Sequence, residues 1–232
     1  MKEKKSIKSS DLTNIMSKIE IIIPMQQSAS EVMGMDIFYN YKYREIGTIS
    51  RLCRLFPAIE KPIGKDPKTQ KVMDAIKIID GEEKKIIEIK SAKAKFLKKS
   101  GKLRSTGDNQ FDKQNDEIRR KETLLYGEYV FSWWIDGLAY PYFIFYIYKD
   151  IGVQKIKFML KQKQTNIMLP KIKSSNLKGK RLNRDTIDIG ISDLLEVLDE
   201  EDVCVLDQDG EKISMKKLKD DILAPQKPGG GY

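Results

Sequence analysis

Three side chains suited to phosphate chemistry lie close together in the sequence, namely Asp74, Glu88 and, two positions after it, Lys90. Carboxylate oxygens are preferred ligands of Mg²⁺ and Mn²⁺, and a lysine beside such a cation can hold or deprotonate a water molecule. The chain contains no histidine. Histidine-metal sites and Ser-His-Asp triads are therefore excluded, so hydrolysis here would have to use carboxylates, lysine and a metal.

A predicted hairpin over residues 72–90 positions these groups. Successive side chains of its first strand point to alternate faces, which places Asp74 with Ile76 and Ile78 on one face, and Asp80-Gly81 is a strong hairpin-turn signal. A three-residue loop would pair Ile79 with Glu83 and hence Asp74 with Glu88, with Cβ atoms about 5 Å apart. Two carboxylates that close repel each other unless a cation lies between them, so this register predicts a metal site. A two-residue loop would shift the pairing by one and separate the acids.

The alternative is an ordinary solvated sheet face with a cross-strand salt bridge. Ile76, Ile78 and Ile86 share the face of the two acids, which predicts that the face is at least partly buried. Buried carboxylates are rarely left unpaired, and this favours the metal site.

Asp74, the gap 75–87 and Glu88-Ile89-Lys90 together resemble the motif of the PD-(D/E)xK nuclease superfamily, although Met73 stands where the motif usually has proline. The resemblance covers about twenty residues and implies a Mg²⁺-dependent nuclease, with Mn²⁺ as a substitute. Asp74, Glu88 and the Ile89 carbonyl would hold one or two metals, and Lys90 would orient the attacking water. Glu31 is the best match to a helix glutamate that relatives add to the metal site. A carboxylate favoured by a helix N-terminus is the other interpretation of Glu31, and both stay open.

The chain of 232 residues has a net charge of +9, from 43 basic and 34 acidic residues, which indicates an anionic partner. The longest apolar-aromatic stretch, 138–148, is too short to span a bilayer, and we expect no membrane association and no signal peptide.

Cys53 and Cys204 lack metal-ligand spacing and are expected to be buried thiols in a reducing compartment, the cytoplasm. There is no P-loop, which argues against an NTPase motor.

Two segments are strongly basic. Residues 89–107 carry seven basic and no acidic residues, and residues 151–184 carry ten and none. Phosphate contacts explain such unbalanced runs better than a solvated face. In the second segment, asparagine and glutamine side chains could make bidentate hydrogen bonds to adenine in the major groove. Pro170 and Gly179 argue for loops after position 161. The residues predicted to contact DNA are Lys93, Lys95, Arg104, Arg119, Lys163, Gln164, Asn166, Lys171, Lys173, Asn176, Lys180 and Arg181.

The predicted fold is α/β, a mixed sheet flanked by helices with a restriction-endonuclease-like core. A single domain is expected over 1–224, with a C-terminal cap over 185–224 and a disordered tail over 225–232. Aromatic-rich strands are expected over 126–135 and 140–149. Predicted helices end at Pro24, run from Ser28 or Ser30 to Tyr43, cover Thr48–Leu55 and run from Asp108 to about Leu125.

The resemblance and the separate basic segment together favour a Type II restriction endonuclease that cuts double-stranded DNA and leaves 5′-phosphates. Recognition of a palindromic site would require a homodimer, and a cognate DNA methyltransferase would be expected in a prokaryotic cytoplasm. Two alternatives stay open, a structure-specific repair or junction-resolving nuclease and a non-catalytic basic DNA-binding protein.

Overall fold

The structure is a computed structural model that describes residues 6–33, 41–62, 74–79, 83–97, 103–105, 109–112, 127–135, 138–166 and 186–222. Its helices are α1 (Ser9–Met33), α2 (Tyr41–Cys53), α3 (Asp150–Asn166), α4 (Ile191–Val197) and α5 (Met215–Lys217), the last continuing into one π-helical turn, Leu218–Ile222. No helix in these ranges has both the length and the apolar character needed to cross a membrane.

Nine of the strands form one mixed sheet. They are β1 (Ser6–Ile7), β2 (Ile59–Pro62), β3 (Ala75–Ile79), β4 (Glu83–Phe96), β5 (Leu103–Ser105), β7 (Glu128–Trp134), β8 (Phe143–Ile147), β10 (Cys204–Asp207) and β11 (Lys212–Ile213). The strand order is β1-β2-β3-β4-β7-β8-β10-β11, and β5 pairs with the end of β4. Two further strands, β6 (Asn109–Asp112) and β9 (Thr186–Ile189), form a separate antiparallel pair.

The long strand β4 holds the sheet together because it pairs antiparallel with β3 and parallel with β7. Every other strand pair of the sheet is antiparallel. A parallel pair needs a long crossover connection, which the chain between β4 and β7 supplies.

Helices cover both faces of the sheet. On one face, Ile87 and Ile89 of β4 pack with Leu12 of α1 and Ile49 and Leu52 of α2. The other face carries the aromatic side chains of β7 and β8, among them Phe131 and Phe145, which pack with apolar side chains of α3 and α4. Since successive side chains on a strand alternate, Glu88 and Lys90 point toward this second, aromatic face. The predicted α/β class with a mixed sheet flanked by helices is confirmed.

The two aromatic segments form buried strands, as predicted, and Cys53 and Cys204 are buried free thiols. The structure changes the bounds of two predicted helices and has a strand in place of the start of a third. α1 continues past Pro24 to Met33, because a proline removes only one backbone donor and a long helix accommodates that loss. The helix predicted from Thr48 begins at Tyr41. Residues 109–112 form β6, because pairing with β9 outweighs the local capping signal of Asp108.

Two other segments differ from the expectation. The second basic segment is helical through Asn166 rather than a loop from position 161, since α3 buries Ile156 and Leu160 against the sheet. The predicted C-terminal cap contributes β10 to the main sheet, paired with β8, and so forms part of the core architecture. Residues 113–126, 167–185 and 223–232 lie outside the described ranges.

Candidate functional site

The register of the central hairpin is the one that brings the two acids together. β3 pairs with β4 so that Ile79 lies opposite Glu83 and Ala75 lies opposite Ile87. This confirms the pairing expected for a three-residue loop, and the loop residues 80–82 themselves lie outside the described ranges. One residue beyond Ala75, the same register places Asp74 opposite Glu88.

A hydrogen bond fixes the Asp74 side chain at this position. Its Oδ2 accepts the backbone N–H of Ile89 at 2.9 Å, so the carboxylate satisfies a donor of β4 just beyond the end of β3. The first acid is thereby attached to the middle residue of the Glu88-Ile89-Lys90 segment.

Glu88 and Lys90 lie beside each other on the same face of β4. The Lys90 ammonium makes an ion pair with Glu88 Oε1, and 12% of the Glu88 side chain and 24% of the Lys90 side chain are exposed. Glu88 also lies next to Tyr129 in the parallel pairing of β4 with β7. Burial and the negative charge of Glu88 raise the pKa of Tyr129. The ion pair is therefore mostly buried. Glu88 lies next to the core residue Tyr129, and Lys90 is the more exposed of the two side chains.

The surroundings of Asp74 disfavour the ionised form of its carboxyl group. Burial, followed by the negative charges of Glu88 and Glu45, raises the pKa of Asp74 to about 7. The Ile89 hydrogen bond and the Lys90 charge oppose this shift without cancelling it. An added cation would stabilise the ionised form of Asp74.

Lys61 and Glu45 lie near the site, although the sequence patterns did not identify either residue. Lys61 on β2 binds Glu45 of α2, with Nζ 2.6 Å from Oε2, and its Nζ also donates to the Asp74 carbonyl oxygen at 2.9 Å. Lys61 thus joins α2 to the residue that carries the first acid. The sequence around Lys61, which precedes a proline in a short strand, did not indicate a contact with the site. Its partner Glu45 lies on a different element, α2.

A second polar cluster lies on the opposite face of the sheet. Glu128, fully buried on β7 beside Ile87, accepts a hydrogen bond from the Tyr146 hydroxyl and pairs with Lys77 Nζ at 3.2 Å. The Lys77 ammonium also lies 5.4 to 5.9 Å from the ring centroids of Phe56, Tyr146 and Tyr148. A buried carboxylate with these partners stabilises the sheet directly behind the candidate site.

The donor set suits a hard divalent cation. Asp74 and Glu88 are two carboxylates placed opposite each other, and Ile89 adds a carbonyl oxygen on the same strand as Glu88. Within the described ranges there is no group of three or more Asp, Glu, His or Cys side chains arranged to hold a metal. Any cation bound here would have Asp74 and Glu88 as its two carboxylate ligands, and a carbonyl and solvent would supply the others.

The other predicted site residues are only partly described. Glu31 lies within α1, but its side chain is outside the described part, whereas Glu45 is a helix glutamate whose charge acts on Asp74. In the second basic segment Lys163 is described, and its Nζ pairs with Asp193 at 2.8 Å and donates to the Asp188 carbonyl at 3.0 Å. The side chains outside the described ranges are Arg119, Gln164, Asn166, Lys171, Lys173, Asn176, Lys180 and Arg181.

Lys93 and Lys95 lie on β4, and Arg104 lies on β5, which pairs with the end of β4. Residues 89–96 of the first basic segment therefore lie on the strand that carries Glu88 and Lys90, and residues 103–105 pair with the end of that strand. Comparison of the chain with protein-family models, with curated proteins and with solved structures finds no match. The function is accordingly inferred from this geometry and from the motif.

Proposed function

We propose that the chain is a Mg²⁺-dependent deoxyribonuclease that cuts double-stranded DNA at specific sequences, in the manner of Type II restriction endonucleases. The observation that carries the proposal is the pairing of Asp74 with Glu88 across the hairpin, with Lys90 two residues later on the same face. The raised pKa of Asp74, caused first by burial and then by the charges of Glu88 and Glu45, supports it, because a bound cation would offset both effects.

Asp74, Glu88 and the Ile89 carbonyl are the groups that would hold the metal. Bound there, Mg²⁺ would polarise the phosphate and lower the pKa of a water molecule. The Ile89 N–H keeps one oxygen of Asp74 engaged, so the carboxylate is oriented before any ligand arrives.

Lys90 would orient the attacking water and stabilise the charge that develops on the phosphate oxygens. Water adds to phosphorus and the bond from phosphorus to the 3′ oxygen breaks, which leaves a 5′-phosphate and a 3′-hydroxyl. For this role the Lys90 ammonium has to leave Glu88, its partner in the ion pair, when Glu88 binds the cation.

The first test is digestion of a large phage DNA in Mg²⁺, with Ca²⁺ in place of Mg²⁺ and with Lys90→Ala in parallel. We expect discrete fragments that disappear in Ca²⁺, and a rate at least about a hundredfold lower for Lys90→Ala. Lys212→Ala is the matched control, since Lys212 is an exposed lysine at the far edge of the sheet. A smear would favour the structure-specific nuclease over the restriction enzyme.

Sequence recognition is assigned to the second basic segment, which begins with α3. Substitution of Asn166 and Asn176 with alanine should relax or abolish site specificity and leave hydrolysis itself intact. An unchanged fragment pattern would contradict this assignment. The recognition of a palindrome would further require a homodimer, which sedimentation of the protein on its cognate duplex would detect.

A second candidate is a basic DNA-binding protein without catalytic activity. The ion pair of Glu88 with Lys90 favours this candidate, because the two charges neutralise each other without a metal. Such a protein would bind DNA with a steep salt dependence and no need for a divalent ion. Intact DNA in Mg²⁺ with retained binding would select this candidate.

A further inference from the structure

Two basic side chains lie directly opposite each other where β4 extends beyond β7. β5 pairs with the end of β4 so that Lys95 faces Arg104, with Ala94 opposite Ser105 and Phe96 opposite Leu103. Directly opposed residues have Cβ atoms roughly 5 Å apart, and like charges in that arrangement destabilise a sheet. We call this two-stranded element, residues 94–96 with 103–105, the β4–β5 ribbon.

The two charges are not neutralised by neighbours that the structure describes. Lys95 and Arg104 are both exposed, and neither contacts a carboxylate within the described ranges. The surrounding sequence also offers no carboxylate to neutralise these charges, because residues 89–107 contain seven basic residues and no acidic one. A repulsive pair that persists without internal compensation suits an anionic ligand from outside the chain.

The ribbon holds these side chains in a defined direction. On its other face Ala94 and Leu103 are buried in the aromatic core, and Phe96, 46% exposed, lies edge-on to Tyr142 with the ring centroids 5.2 Å apart. Burial of that face points Lys95 and Arg104 away from the aromatic core. Because the backbone is fixed by strand pairing, the cations lose less conformational freedom on binding than the same residues would in a loop.

We infer that the β4–β5 ribbon binds the phosphate backbone of DNA, with Lys95 and Arg104 converging on one phosphate. An ammonium beside a planar guanidinium matches a phosphate, which accepts two parallel hydrogen bonds from arginine and a further contact from lysine. Nucleic acid is favoured over a lipid surface, because the exposed apolar ring of the ribbon, Phe96, lies on the face opposite the two cations rather than beside them.

The choice of DNA as the ligand rests on the proposed function. The ribbon would contact a phosphate remote from the one that is hydrolysed. Lys90 and Lys95 are five residues apart on one strand, about 17 Å at roughly 3.3 Å per residue. Side chains five apart also point to opposite faces of the sheet. The ribbon should therefore raise the affinity for DNA without affecting turnover at saturating DNA.

The test is fluorescence anisotropy of a labelled 30-base-pair duplex with the full chain in EDTA, so that cleavage cannot occur. The variants are Lys95→Gln, Arg104→Gln and their double, and the matched control is Lys216→Gln/Lys217→Gln on α5, two exposed lysines far from the ribbon in sequence. We expect a several-fold loss of affinity for each single variant and a tenfold or greater loss for the double. The slope of log K against log salt should fall by about one per variant.

Thermal unfolding separates this role from a structural one. Removing one of two opposed like charges should leave the melting temperature unchanged or raise it, whereas a structural role would lower it. Equal DNA affinity and salt slope for the ribbon double variant and the control would overturn the inference. Binding to phosphatidylserine vesicles but not to DNA would overturn it as well, in favour of a membrane surface.

The inference and the nuclease proposal can fail separately. Ribbon-dependent binding without cleavage in Mg²⁺ would retain the ribbon contact and reject the nuclease. Cleavage that is unaffected in both KM and kcat by the ribbon double variant would retain the nuclease and reject the ribbon contact. Support for both requires a raised KM and an unchanged kcat.

Discussion

Asp74 and Ile89 are joined by a hydrogen bond of 2.9 Å that crosses from one strand of the central hairpin to the other. The bond connects a side-chain oxygen of the first acid with the backbone N–H that lies between Glu88 and Lys90. Through it, the position of Asp74 depends on the acid-x-Lys segment itself, and the two halves of the motif form one unit even though residues 75–87 separate them in the sequence.

The charge of Asp74 should destabilise the metal-free protein. Asp74→Asn keeps an oxygen that can accept the Ile89 N–H but removes a buried negative charge beside Glu88 and Glu45. At pH 8 without divalent ions we expect the variant to have a free energy of unfolding about 1 to 3 kcal/mol higher, measured by urea denaturation. Ca²⁺ should stabilise the wild type and not the variant.

Glu196→Gln is the matched control for Asp74→Asn, because Glu196 is an exposed carboxylate on α4. Its free energy of unfolding should change by less than about 0.5 kcal/mol. A lower stability of Asp74→Asn at pH 8, or equal stabilisation of both proteins by Ca²⁺, would argue against a cation site at Asp74.

Lys61 should be coupled to Glu45 energetically. The pair is largely withdrawn from solvent, and Lys61 also holds the Asp74 carbonyl oxygen. Lys61→Met should cost about 1 to 3 kcal/mol of unfolding free energy, because Glu45 then loses its cation. In a double-mutant cycle with Glu45→Gln, the double variant should lose less than the sum of the two single losses, and strictly additive losses would contradict the coupling.

The Tyr146 hydroxyl should stabilise the sheet behind the site. It donates to the fully buried Glu128, whose charged partner among the described residues is Lys77. Tyr146→Phe should lower the free energy of unfolding by about 1 to 2 kcal/mol. Tyr148→Phe is the control, since that ring lies beside the same lysine and its hydroxyl makes no hydrogen bond within the described ranges. Equal losses for the two variants would contradict the prediction.

Asp202 should support stability in a pH-dependent manner. Burial alone would raise the pKa of Asp202, but hydrogen bonds from Lys155, at 2.6 Å, and from the Asp199 N–H lower it below its ordinary value. A carboxylate with a lowered folded-state pKa stabilises the protein fully above about pH 4 and loses this effect as the pH falls through the folded pKa.

We therefore expect Asp202→Asn to reduce the free energy of unfolding by about 1 to 3 kcal/mol at pH 7. The difference from the wild type should decline in acid solution, which denaturant titrations at several pH values would measure. A difference that stays constant from neutral to acid pH would mean that the asparagine perturbs packing rather than removing a charge interaction.

Short-range patterns predicted the parts of the fold that local chemistry controls. The Asp80-Gly81 signal predicted a hairpin but left two registers open, and the structure has the one with Ile79 opposite Glu83. The aromatic runs predicted the buried strands β7 and β8. In these segments the hydrophobic alternation and the turn residues point to the same structure, so no distant contact has to override them.

Long-range pairing explains the incorrect predictions. Asp108 followed by polar residues has the pattern of a helix start, yet residues 109–112 pair with β9, about eighty positions later. Lys61 and Glu45 meet because β2 and α2 fold onto each other, and neither residue carries a pattern that identifies its partner. Contacts of this kind depend on which elements become neighbours, and a single sequence does not encode that in any short window.

The sequence by itself determined the α/β class, the presence of the central hairpin and the types of residue available at the site, because these depend on periodicity, turn chemistry and composition. Only the tertiary structure decided the environment of those residues. It buries Asp74 against Glu88 and Glu45, pairs Lys90 with Glu88 and continues β4 into a ribbon with two opposed cations. Burial and the separation of charges are properties of packed elements, so they arise only when strands and helices distant in the sequence are brought together.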